Sequence, residues 1–167
     1  EPATYKEKAG ALKDLGKSLT EKERQVLYGY LEKGTNEDAY DLYLKDQLLI
    51  RLETQNPPAP NFLNHMMSWA TDKNLDGSFR GYVVQHLRLA LERKDPQSKE
   101  IEAVLLQAIL DRQSDASGTA LMALAEMSGS EEELKARKVA ITQAALALVE
   151  DPEAHRPSKI VALQIMG

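Results

Sequence analysis

An apolar pattern returns five times along the chain: a small or branched apolar residue, then an apolar pair three positions apart. The returns are Ala11-Leu12-x-x-Leu15, Leu48-Leu49-x-x-Leu52, Val83-Val84-x-x-Leu87, Ala120-Leu121-x-x-Leu124 and Ala162-Leu163-x-x-Met166. Their second positions, 12, 49, 84, 121 and 163, lie 37, 35, 37 and 42 residues apart. Apolar residues at i and i+3 share one helix face. A face that recurs at this interval is the mark of helical hairpins laid side by side, each burying its apolar flank only against its neighbours.

Punctuation between the apolar stretches predicts nine helices. They span about 3–15, 20–34, 37–54, 60–71, 78–93, 97–113, 117–128 and 131–150, with a ninth running from Pro157 to the end. Gly16, Gly34 and Gly129 close helices, while Thr20-x-x-Glu23 and Ser130-x-x-Glu133 read as capping boxes. Prolines stop two more, at Asn56-Pro57-Pro58 and Asp95-Pro96. The helices pair as 3–34, 37–71, 78–113 and 117–150, with 157–167 the first half of a fifth pair, all within one domain over 1–167. Leu27, Leu63, Leu105 and Ala145 recur in the second helices at spacings of 36, 42 and 40. No stretch alternates as a strand does, so the predicted class is all-α.

Two helices depart from a simple amphipathic design. The third carries three stripes: Tyr40, Leu44, Leu48 and Leu52; Leu42 and Leu49; and Tyr43 with Ile50. A helix apolar on several sides is expected to pack on several sides. The ninth carries Ile160, Val161, Leu163 and Met166 with no helix after it. Repeat arrays need a polar end cap, so this edge predicts a longer natural chain, packing back, or self-association through the terminal helix.

Composition narrows the function classes. Net charge is −5, and it hides no basic stripe. Residues 1–56 carry 9 basic and 11 acidic side chains, 57–100 carry 6 and 5, and 101–167 carry 6 and 10. Binding to nucleic acid or to an anionic membrane surface is therefore not expected. No apolar run approaches the roughly 20 residues that span a bilayer. The chain has no cysteine, which removes thiol catalysis, cysteine-bound zinc and disulfides. It begins Glu1-Pro2, without methionine or an apolar leader, the form of a trimmed end such as follows removal of an export signal or deliberate truncation.

Three segments carry a family likeness: Arg80-x-Tyr82-Val83-Val84-Gln85-His86-Leu87, Gly118-Thr119-Ala120-Leu121-x-Ala123-Leu124, and Lys159-x-Val161-Ala162-Leu163-Gln164. With the spacing and the helix pairs, they resemble HEAT-like repeats of the armadillo-type superhelix. The resemblance implies a right-handed α-solenoid of about four and a half antiparallel helix pairs. Asp72, Asp111 and Asp151 close the second helices 39 and 40 residues apart, resembling the side-chain ladder of such repeats, with Arg80 and Arg156 as basic partners and Thr119 in the middle unit. The family implies a scaffold that displays a curved surface to a protein partner. It implies no reaction.

Candidate chemistry is sparse. Asp72-Lys73-Asn74-Leu75-Asp76-Gly77 matches the first half of an EF-hand loop, which makes Asp72, Asn74 and Asp76 a calcium candidate. Position 12 of such a loop is a bidentate Glu, and here it is Val83. The competing reading is a turn whose side chains cap the next helix. His65, His86 and His155 show no zinc spacing, and His86 reads as a hydrogen-bonded packing residue. Neither a nucleophile elbow nor a glycine-rich phosphate loop occurs. No cofactor is expected. All nine aromatics lie at or before Tyr82. A contact surface of Trp69, Tyr28, Tyr30, Tyr43, Tyr82 and His86 is one use of them; ring-filled hairpin cores are the other. The expected function is a non-catalytic protein-interaction scaffold. The alternative is a lyase- or glycosylase-like enzyme on the same scaffold, with a pocket near Trp69, Tyr82 and His86.

Overall fold

The computed structural model describes residues 3–33, 39–93 and 96–167. Among these the chain is all-α: α1 (Tyr5–Asp14), α2 (Glu21–Leu31), α3 (Ala39–Glu53), α4 (Phe62–Thr71), α5 (Gly77–Glu92), α6 (Ser98–Ala108), α7 (Asp115–Glu126), α8 (Glu131–Glu150) and α9 (Arg156–Met166). The closing role of Gly34, the expected start of the third helix near 37, and the stop at Asp95 lie outside the described residues. No helix among the described residues is long and apolar enough to cross a membrane.

Local chemistry sets the helix starts. Thr20 and Ser130 accept from the N–H groups of Glu23 and Glu133, whose carboxylates reach back to the cap residues, as the sequence predicts. Thr4 and Glu7 form a third such box that the sequence reading missed. The largest boundary error is at α6, which ends at Ala108 rather than near 113. Ile109, also buried, prolongs the apolar pattern past the last helical turn. A turn in which the Ser114 N–H donates to Asp111 O then starts α7 at Asp115. The same turn recurs before α5 and α9, where Leu75 and Ala154 donate to Asp72 O and Asp151 O at 3.1 and 3.2 Å.

Contacts between helices follow a regular order. The odd helices meet in succession, α1 with α3, α3 with α5, α5 with α7 and α7 with α9. Alongside them α4 packs on α5 and α6, and α8 on α7 and α9. One cluster of buried residues runs from Leu19 to Ala162. Its densest part is α5 and α7, where Phe79, Val83, Val84, Leu87, Ala120 and Leu121 are fully enclosed. Burying such a side chain contributes about 1.5–3 kcal/mol. By contrast α1 has no buried residue.

The expectation for the third helix needs correction. Leu44, Leu48, Leu49 and Leu52 are buried, yet Tyr40, Tyr43 and Ile50 are exposed, so the Tyr43/Ile50 stripe faces outward. On α9, Ile160, Leu163 and Met166 are exposed.

Candidate functional site

Of the six residues nominated for a contact surface, three are interior. Trp69 is 3% exposed; its indole N–H donates to Glu32 Oε1 at 3.0 Å, tying α4 to the end of α2. Its ring meets Tyr28 edge-on at 5.7 Å, and Phe62, His65 and Phe79 complete the cluster. Tyr28 is buried there too. The bland use of the aromatics, filling hairpin cores, therefore holds for these rings.

His86, the third interior residue, is held between two carboxylates of α3. Nε2 lies 3.2 Å from Asp46 Oδ1, and Nδ1 lies 3.1 Å from Glu53 Oε2. The second contact has ion-pair distance but poor hydrogen-bond alignment. Burial opposes a charge on the ring, yet Glu53 and Asp46 together outweigh it and raise the histidine above its ordinary value. Both ring nitrogens are thus committed to joining α3 and α5. Trp69 thus faces α2 and its ring cluster, whereas His86 faces α3.

The remaining three reach the surface in part or in full. Tyr43 is exposed and Tyr82 half-buried. Tyr30 is half-buried, with its hydroxyl on Asp41 and the ammonium groups of Lys8 and Lys33 near its ring.

The calcium candidate is a capping loop. Asp72 Oδ1 accepts from the Asn74 N–H at 2.9 Å, and Asp76 Oδ1 accepts from the N–H groups of Ser78 and Phe79 at 3.0 Å. Val83 at loop position 12 is fully buried. Among the described residues no three His, Cys, Asp or Glu side chains gather as a metal site would require. The ladder assignments also change. Arg80 pairs with Asp111, at the end of its own helix pair, and the guanidinium holds that carboxyl below its usual range despite partial burial. Asp151 is met by Arg112 at 3.1 Å rather than by Arg156. Thr119 donates to Asp115 O in its own helix.

Hollows lie along the fold: one of about 350 Å³ against α5, α6 and α7, one of about 280 Å³ between α7, α8 and α9, and two at the N-terminal end. A cavity of about 640 Å³ opens between α1 and α3. Tyr5, Lys6 and Lys13 line it from one helix, and Tyr43, Gln47 and Arg51 from the other. Leu12 and Leu44 belong to this cavity and also to an apolar one of about 240 Å³ that reaches Val26 and Tyr30 of α2. Of the nominated residues only Tyr43 and Tyr30 touch these two hollows. Sequence reasoning missed Lys6, Lys13, Gln47 and Arg51, although their spacings, i and i+7 on α1 and i and i+4 on α3, were open to it. No protein-family model, curated protein or solved structure matches this chain.

Proposed function

We propose that this chain is a non-catalytic scaffold, a right-handed HEAT-like α-solenoid of helix pairs that presents its surface to a protein partner. The observation that carries the reading is the repetition of one structural unit. Each odd helix from α1 to α7 packs on the next odd helix, and α5, α7 and α9 are entered through the same Asp-initiated turn. Units that pack only on their neighbours make an extended surface whose size grows with each repeat. The interior ionisable groups support a structural role. His86 is tied to Asp46 and Glu53, Arg80 to Asp111, and Arg137 to Glu102 and Met127 O.

Capture on the immobilised full chain, followed by reconstitution with each purified candidate, tests the reading. A one-to-one complex with a purified protein is the expected result. Failure to form one with any captured protein, together with turnover of a small molecule by the purified chain, overturns it.

A further inference from the structure

We infer that the hollow between α1 and α3 is a docking groove for an extended acidic segment of a partner protein. This rests on the scaffold reading and names the place and chemistry of its contact. In a chain of net charge −5, the groove is lined by three cations, Lys6, Lys13 and Arg51, and by no carboxylate. Elsewhere the arginines are largely neutralised: Arg24, Arg80, Arg88, Arg93, Arg112 and Arg137 all face carboxylates. Arg51 has no carboxylate in ion-pair range among the described residues, and neither has Lys6 or Lys13. An uncompensated basic groove on an acidic molecule selects anionic partners.

The groove also has a place for an apolar side chain. Tyr5 and Tyr43 stand at its rim, 37% and 48% exposed, and such half-exposed rings serve as contact anchors. Between them the wall is small, Ala9 and Gly10. Glycine inside a helix is destabilising relative to alanine, and nothing lies within 4 Å of where a Cβ at Gly10 would sit. Packing within the fold therefore does not require glycine there, and a side chain at that position would intrude on the groove.

Geometry sets the length of the ligand. The two helices run side by side in the same direction: Tyr5 meets Tyr40, Lys8 meets Asp41, and the Gly16 carbonyl meets Gln55. Lys6 thus marks one end of the groove, and Lys13 with Arg51 the other. At 1.5 Å per residue, Lys6 and Lys13 are about 10 Å apart along the axis. An extended chain covers that distance in about three residues. The fitting segment has acidic residues three apart, with an aliphatic or aromatic side chain between them.

The test uses the full chain and the peptide acetyl-Gly-Glu-Leu-Ser-Glu-Gly-amide, carrying a fluorophore, read by anisotropy and by amide chemical-shift mapping. Binding is expected to weaken with salt, and to fall at least threefold when either Glu of the peptide becomes Gln. Shifts should be confined to α1 and α3. Gly10→Leu, which fills the groove while favouring the helix, and the double reversal Lys13→Glu with Arg51→Glu are each expected to weaken binding at least tenfold. Lys138→Glu, on α8, should change it less than twofold. Shifts centred on α8 and α9, undiminished binding by Gly10→Leu, or tighter binding of a single-stranded oligonucleotide than of the peptide at equal salt would each overturn the inference. So would a dimer of the free chain that Gly10→Leu dissociates, since a second copy would then fill the groove. A partner captured equally by wild type and Gly10→Leu overturns the groove and leaves the scaffold standing. Capture of no partner by wild type, together with turnover of a small molecule by the purified chain, removes the scaffold reading itself.

Discussion

Replacing glycine by alanine within a helix ordinarily stabilises a protein by about 0.5–1 kcal/mol, because alanine loses less backbone freedom on folding. At Gly29 in α2 an added Cβ meets nothing within 4 Å, so the full gain is expected. At Gly118 the same atom would lie 3.0 Å from Ser158 Cα on α9, and at Gly81 it would lie 2.9 Å from Asp115 Cβ on α7. Ser158 cannot easily yield: its hydroxyl donates to Ser114 O at 2.9 Å in a buried site. Relief then requires α9 to move off α7, and overpacking of this kind costs about 1–3 kcal/mol. Subtracting the helix gain, Gly81→Ala and Gly118→Ala should destabilise by about 0–2.5 kcal/mol, leaving each about 1–3 kcal/mol below Gly29→Ala. For a chain of this size each kcal/mol moves the thermal midpoint by roughly 2–4 °C. Urea unfolding followed by helical circular dichroism, compared at constant m-value, measures the difference. Equal stabilisation at all three glycines would refute close contact of α5, α7 and α9.

Other substitutions probe single features. The carboxylates beside His86 hold it protonated above its ordinary 6.5, so its contribution is fully present below that value and is lost as pH rises through the raised one. Stability should decline on the alkaline side, and a urea-midpoint series in which His86→Gln leaves that slope unaltered would reject the α3–α5 clamp. Leu121→Ala empties a fully buried position on α7 and should cost about 2–5 kcal/mol by chemical denaturation; a loss below 1 kcal/mol would mean the core is not closed there. Asp76→Ala removes the α5 cap and should cost about 0.5–2 kcal/mol. Calcium should leave the wild-type midpoint unmoved, and a calcium-dependent rise would restore the EF-hand reading.

Helices were legible because their signals are local. Capping boxes at Thr20 and Ser130 depend on residues three apart, and Pro157 starts α9 from within its first turn. The end of α6 was not legible, since Ile109 continues the apolar period while already serving as the cap. Partners across helices were harder still. Arg80 was expected to belong to a ladder, but its choice of Asp111 depends on how close α5 and the α6–α7 turn come together. The split of the nominated aromatics between interior and surface was not legible for a related reason. An aromatic stripe looks alike whether it faces a neighbour or water, and only packing put Trp69 and Tyr28 inside and Tyr43 outside.

The lopsided aromatics acquire a physical meaning once the packing is known. In α7 the buried positions are largely small, Ala116, Ser117, Gly118, Ala120 and Ala123, and this permits the near-backbone contact of Gly118 with Ser158. At the other end rings hold helices apart: Tyr28, Phe62 and Trp69 fill the space between α2 and α4, while Tyr5 and Tyr40 touch at the edge of α1 and α3. A void persists wherever neighbouring atoms cannot collapse into it. Cavities flank α1, which has no buried residue and is the helix least held by the core. Small core residues therefore let α7 and α9 approach closely, and large ones fill the N-terminal core. The aromatic boundary at Tyr82 separates the ring-packed N-terminal part from the small-residue core of α7.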